Sequence, residues 1–307
     1  MSILCVGQIV ADIVVRPVDQ LPHCGQADPV EELKLVAGGC AANTACVLAK
    51  LGVETSIAGM VGRDSFGDIA LSDVASCGVN ISGVVRDAVV PTSAVIVIVR
   101  SDGERSFLYR EGGNERLESD MISDEVISKA KYVHIGGGMK LSSLNMAEFL
   151  SRARRFGCIT TLDTDWDVSG KWMSALESSL SKVDYLLTNE EEGSKLTGVE
   201  DPIEIGRKLL SAGPKAVIVK RGPLGAVAVT DERIEEFPAF EVQVVDTTCA
   251  GDSFAAGFLV GLSQGWDIAK SVRLANATGA LCTTQISHRG IVSLSATMGF
   301  LRGQLPV

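Results

Sequence analysis

The sequence predicts an α/β fold: a large three-layer α/β/α domain whose mostly parallel central sheet carries helices on both faces. Three observations predict it: short apolar runs ending in Gly or a polar loop, helix-compatible segments between them, and repetition of that order along most of the 307 residues. Ile3-Leu4-Cys5-Val6-Gly7 is continuously apolar, as a strand buried on both faces should be. Ala37-Gly38-Gly39-Cys40 then opens an Ala-rich segment that favours helix until Gly52 stops it. Thr55 to Val61 reads as strand and Gly67 to Ser76 as helix. Tyr132 to Ile135 reads as strand, Ala147 to Phe156 as helix and Thr160 to Asp163 as strand. Tyr185 to Thr188 (strand), Ile203 to Ser211 (helix) and Ala216 to Lys220 (strand) continue the alternation.

Two stretches break the rhythm, about 12–36 and 92–112. Both have strand character without an intervening helix, and Asp102-Gly103 signals a hairpin turn in the second. They form either a small antiparallel sheet projecting from the main domain or a pair of edge hairpins; pattern alone leaves both open.

Hydrophobic residues make up 46%, charged residues 21%, and 32 glycines supply tight turns, which together require a compact chain with a large core. A net charge of -10 without a basic run repels a phosphate backbone, so nucleic acid is not an expected partner. The eight cysteines contain no C-x-x-C pair and read as reduced thiols, which places the protein in the cytoplasm. Ile3 to Val15 is apolar but lacks a preceding basic residue and contains Asp12; it reads as a first strand, with no membrane association expected.

The most informative segment is Val245-Asp246-Thr247-Thr248-Cys249-Ala250-Gly251-Asp252-Ser253-Phe254. Small residues surround two Asp six apart, and a helical apolar pattern follows to about Leu262. A helix beginning near Ala250 turns its first amides into an anion hole and carries Asp252 in its first turn. Phosphoryl transfer needs an aligned hydroxyl, a route for its proton and stabilisation of phosphoryl charge, and this segment supplies the last two. Its competing reading is an ordinary Asp-bearing helix entrance.

The Asp-Thr-Thr-Cys-Ala-Gly-Asp-Ser-Phe run resembles the C-terminal signature of the ribokinase-like carbohydrate kinases, the phosphofructokinase B type. Gly38-Gly39 with Asn43 resembles that family's N-terminal signature, and the likeness extends from about Ile3 to Ser293. The resemblance implies a ribokinase-like domain over 1–307, with the two helix-free stretches as a β lid and ATP-dependent phosphorylation of a sugar hydroxyl. It implies Asp252 as catalytic base, with the amides of Ala250, Gly251 and Asp252 as anion hole; Cys249 stands in the same turn where many members have Gly. By the same likeness Asp12, Gly38, Gly39 and Asn43 hold the acceptor, although Cys40 occupies the place of a family Lys. Arg110 and Asp165, with Trp166 and Asp167, are further candidates to line the acceptor pocket.

On the donor side, the likeness assigns Asn189 and Glu192 to Mg²⁺ through water, and Lys220, Gly222, Gly225 and Asn276 to the nucleotide. Competing readings are a solvated helix start for the Asn189 segment, a plain hairpin turn for 220–225 and a buried helix polar residue for Asn276. Asp246 and Thr248, with the loop 286–293, resemble a monovalent cation site, taken as K⁺. A homodimer through the lids is expected from the apolar face of Val95 to Val99. No G-x-G-x-x-G follows the first strand and no G-x-x-x-x-G-K-[ST] occurs, which sets aside dinucleotide and P-loop classes. A nucleoside kinase, a 2-keto-3-deoxy sugar acid kinase and a non-catalytic sugar or nucleotide sensor remain the alternatives.

Overall fold

A computed structural model describes residues 2–285 and 293–303. Thirteen strands lie among these residues. They are β1 (Ile3–Gly7), β2 (Val10–Arg16), β3 (Glu32–Gly38), β4 (Thr55–Gly62), β5 (Asn80–Asp87), β6 (Ala94–Val99), β7 (Arg105–Arg110), β8 (Tyr132–Gly136), β9 (Ile159–Asp163), β10 (Tyr185–Asn189), β11 (Ala216–Lys220), β12 (Ala226–Thr230) and β13 (Ile234–Phe237). The helices are α1 (Cys40–Lys50), α2 (Ser65–Ser76), α3 (Asp124–Ser128), α4 (Met146–Arg155), α5 (Met173–Leu180), α6 (Glu190–Thr197), α7 (Pro202–Ser211), α8 (Ala250–Ser263), α9 (Ile268–Thr283) and α10 (Leu294–Leu301).

Nine strands form the central sheet in the order β13-β12-β11-β10-β9-β8-β1-β4-β5. Neighbours from β11 to β5 pair in parallel, whereas β12 and β13 add an antiparallel edge. Side chains alternate across the pleat and build two cores. Ile3 and Cys5 face a cluster with Leu48 of α1, Val74 of α2, Phe258 of α8 and Val272 of α9. Leu4 and Val6 face the opposite cluster with Ile127 of α3, Phe149 of α4, Leu180 of α5 and Leu209 of α7. Runs such as Ile3–Gly7 are therefore apolar throughout because both faces are covered. Among the described residues no helix is long and apolar enough to cross a membrane.

The two helix-free stretches join into a separate four-stranded sheet, β3-β2-β6-β7, which is the lid. One expectation is corrected: the lid is mixed, because β2 and β6 pair in parallel while β2–β3 and β6–β7 are antiparallel. The cause lies in the core. β2 continues from β1 and β6 follows β5, and both parent strands run in the same direction through the central sheet. Asp12, Val95 and Tyr109 stand opposite one another on the lid face that looks onto the core. Ile13, Ile96 and Leu108 form the next row, on the outer face, where Leu108 is 61% exposed.

Candidate active site

Register brings the C-terminal ends of the central strands together. Gly7 pairs with Gly136, Gly136 with Asp163, and Asn189 with Lys220, so the residues that follow β1, β8, β9, β10 and β11 emerge along one sheet edge. The N-termini of α1 and α8 arrive at the same edge, where Asn43 Nδ2 donates to Asp252 Oδ2 at 2.8 Å and Thr44 Oγ1 donates to the Asp252 carbonyl at 3.3 Å. Two residues 209 apart in sequence thus share one hydrogen bond.

Asp12 reaches this place from the lid. Burial raises its carboxyl to about 7, the nearby Asp252 charge adds to the rise, and Lys140 opposes it. Gly38 lies against that carboxyl: a Cβ there would meet Asp12 Oδ2 at 2.0 Å. Gly39, at φ +94°, starts α1 and would press a Cβ to 2.6 Å from the Gln8 carbonyl. The glycine pair is needed for the approach of protein to protein. Asp165 joins the same pocket, accepting from Gln8 Nε2 at 2.6 Å and from the Met139 amide at 2.8 Å; burial raises its carboxyl to about 6, against Lys140. Trp166 and Asp167 turn elsewhere. Trp166 is 47% exposed and packs edge-on against Trp172, and Asp167 accepts from the Ser169 and Trp172 amides.

Arg110 is not brought to this group. It lies on the outer parity of the lid, donates to the Thr92 carbonyl at 2.8 Å and sits over the Phe66 ring. The β7 arginine that faces the core is Arg105, five residues earlier and therefore on the other face of the strand. Its guanidinium donates to Thr247 Oγ1 at 2.9 Å, to Thr248 Oγ1, and to Asp246 Oδ1 at 3.4 Å. The predicted loop 286–293 lies outside the described residues apart from Ser293.

α8 begins at Ala250 behind Cys249, which adopts φ +63°. The Ala250 amide already donates to the Thr247 carbonyl at 3.2 Å, so Gly251 and Asp252 are the better placed of the three predicted anion-hole amides. Lys220 stands beside them, since a Cβ on Gly251 would lie 3.4 Å from Lys220 Nζ. Lys220 also donates to both oxygens of Asp163, at 2.6 and 2.8 Å. Burial alone would depress this lysine, but Asp163, Glu192 and Asp252 outweigh it and hold the ammonium above its usual range.

Asn189 Oδ1 caps α6 by accepting from the Glu192 amide at 2.8 Å, and Glu192, 8% exposed, uses Oε2 to accept from Thr164 Oγ1 at 2.6 Å. This donor set fits a cation held through water better than one gripped directly, because Asn189 Oδ1 and Glu192 Oε2 are already engaged. Lys220 leads into the hairpin that joins β11 to β12, with Gly222 in open space. Gly225 abuts the Phe237 carbonyl, and Asn276 Nδ2 donates to the Phe237 and Pro238 carbonyls at 3.1 Å each. The structure thus gathers Gly225 and Asn276 around the end of β13, and gives Asn276 a bracing role.

Sequence reasoning missed Asp163, Gln8, Lys140 and Arg105. Asp163 was detectable, since it ends the strand predicted at 160–163 and so belongs at the ligand-binding edge by the argument used for Asn189. Lys140 follows the Gly136-Gly137-Gly138 run; its Nζ lies 4.9 Å from the Tyr109 ring centroid. Arg105 needed the lid register, which local pattern does not supply.

The fold and the assembled edge define a class, phosphotransferases that act on an alcohol group. Residues 1–292 match the pfkB family carbohydrate kinase model, and the chain belongs to that family. It is 30% identical over 302 residues to an ATP-dependent ribose-1-phosphate kinase of Halopiger xanaduensis, covering 98% of each chain. It is 32% identical over 295 residues to a ribokinase of Arabidopsis thaliana, covering 91% of this chain and 75% of the relative. Among solved structures, Arabidopsis ribokinase complexed with ribose and ATP superposes with a TM-score of 0.84 at 26% identity, covering 98% of both chains. A fructokinase from Xylella fastidiosa with bound ATP gives 0.85 at 26% identity, covering 99% of this chain and 98% of the other. The protein is a sugar kinase of the ribokinase and fructokinase type.

Proposed function

We propose that the chain transfers the γ-phosphoryl group of ATP to a hydroxyl of a small sugar, with Asp252 as the general base. One observation carries the assignment: Asp252, bonded to Asn43, stands in the first turn of α8 beside the Lys220 ammonium. Asn43 orients the carboxylate, and Asp12 reaches the acceptor from the lid. As the acceptor oxygen attacks the γ-phosphorus, its proton passes to Asp252 and the bond to the bridging oxygen of ADP breaks. The Gly251 and Asp252 amides and Lys220 receive the charge of the phosphoryl oxygens. Mg²⁺, held through water by Glu192 with Asn189 fixing the helix start, would neutralise phosphate charge. The structural relatives with bound ATP, and one with ribose, support this reading.

An ATP-consumption screen over pentoses, hexoses, keto-deoxy acids and nucleosides tests it. Asp252→Asn should keep the fold and acceptor binding while lowering kcat about 10²- to 10⁴-fold; near-normal turnover would sink the assignment. A phosphorylated pentose is the second reading, favoured by Lys140. Its ammonium has no carboxylate of the described residues within ion-pair distance and lies near the acceptor pocket, over Tyr109. Including ribose 1-phosphate in the screen separates the two.

A further inference from the structure

We infer that Arg105 is a positioning residue: delivered by the lid, its guanidinium serves as the fixed cation of the 246–248 turn, in place of an exchangeable monovalent ion. The inference rests on the kinase reading of the same site. Asp246 Oδ1 accepts from the Thr248 amide at 2.8 Å and from Thr248 Oγ1 at 2.6 Å, a folded acceptor turn immediately ahead of α8. Arg105 enters that turn from 141 residues away and bonds Asp246, Thr247 and Thr248 together. A K⁺ ion does not fit the side-chain oxygens of Asp246 and Thr248 while the guanidinium holds them.

The turn has a direct line to the chemistry. Thr247 presents its carbonyl to the Ala250 amide, Cys249 follows in the left-handed region, and Gly251 and Asp252 come next. Fixing Thr247 and Thr248 therefore fixes the angle at which α8 offers its amides. Across the turn lies a cleft of about 1330 Å³, bounded on the lid side by Asp12, Val95 and Phe107 and on the core side by Asn43 and Val245. Arg105 lines the same cleft beside Asp246, Thr247 and Thr248. Asp19 accepts from the Ser101 amide at 2.9 Å and braces the hairpin tip that carries the arginine. Charge-assisted bonds from a fork-shaped guanidinium supply both charge and direction, which a spherical ion does not. The lid thereby becomes part of the anion hole.

The test compares full-length wild type with Arg105→Ala and Arg105→Lys, using the best acceptor from the screen. Arg105→Ala should lose about 10- to 100-fold in kcat/KM, the scale expected when reacting groups are misplaced. Added guanidinium should restore a large part of the loss, and Arg105→Lys should fall between. Wild type should be indifferent to replacing K⁺ by Na⁺ or choline, and amide exchange over 246–252 should quicken in Arg105→Ala. An alanine variant that matches wild type overturns the inference, as does a wild type that slows on K⁺ withdrawal as much as the variant. Loss with neither rescue nor faster exchange overturns it too. If wild type phosphorylates no acceptor, the kinase reading fails, and the exchange measurement still decides whether Arg105 fixes the 246–248 turn.

Discussion

Cys249 holds φ +63° at the entrance of α8, a conformation costing a non-glycine residue roughly 1–2 kcal/mol. Glycine relieves that strain but adds about 0.5–1 kcal/mol of unfolded-state freedom. Cys249→Gly should therefore raise stability by up to about 1 kcal/mol in thermal denaturation, with activity retained; a clear loss of stability would show that the thiol packs better than the backbone suffers. This residue also shows what one sequence conveys. The Asp-Thr-Thr-Cys-Ala-Gly-Asp run was legible as chemistry because its residues are neighbours in the chain. Arg105 was not, and Arg110 stood in its place among the candidates. The two differ by an odd number of positions on one strand, so only knowledge of which face meets the core separates them.

α6 shows how an element sets the position of a side chain proposed to hold Mg²⁺. Asn189 ends β10, caps α6 and accepts the Glu192 amide, so the cap and the carboxylate are set by one hydrogen bond. Asn189→Ala should cost about 1 kcal/mol of stability, and it should shift the Mg²⁺ dependence of the rate to higher concentration as Glu192 loses its fixed position. An Mg²⁺ titration of initial rates reads this; an unchanged midpoint would leave Asn189 as a cap alone. The strands and helices of the alternating region were readable because periodicity is local, and Tyr185–Asn189 and Pro202–Ser211 fall within a residue or so of expectation. The pairing of β2 with β6 was not readable. It depends on contacts about 80 residues apart, and the apolar alternation of both strands is compatible with either direction.

Over the whole molecule, folding buries Asp12 and Asp165 and raises their carboxyls to about 7 and about 6, from 3.8. Between those limits the folded state binds more protons than the unfolded chain, so stability falls as pH rises through the window and levels above it. Asp163, raised by burial against the pull of Lys220, acts in the same sense, whereas His134, which burial lowers from 6.5 to about 3, opposes it within the same window; three raised carboxyls outnumber the one lowered imidazole. Asp64 and Asp184, held below the usual range by hydrogen bonds to Thr92 and Thr160 that outweigh burial, act in the opposite sense and only at lower pH. The melting temperature of the ligand-free protein should therefore decline from about pH 5 to about pH 7, and Asp12→Asn should flatten the decline; a rise over that range would contradict it. Asp12 belongs to the lid sheet, whereas Asn43 and Asp252 belong to the central domain, and the chain crosses from one body to the other at 7–10, 38–40, 87–94 and 110–114. The pocket is therefore a gauge with one jaw on each body. On the proposed function, a sugar long enough to touch both jaws would measure the gap, whereas a water molecule at Asp252 would touch only one.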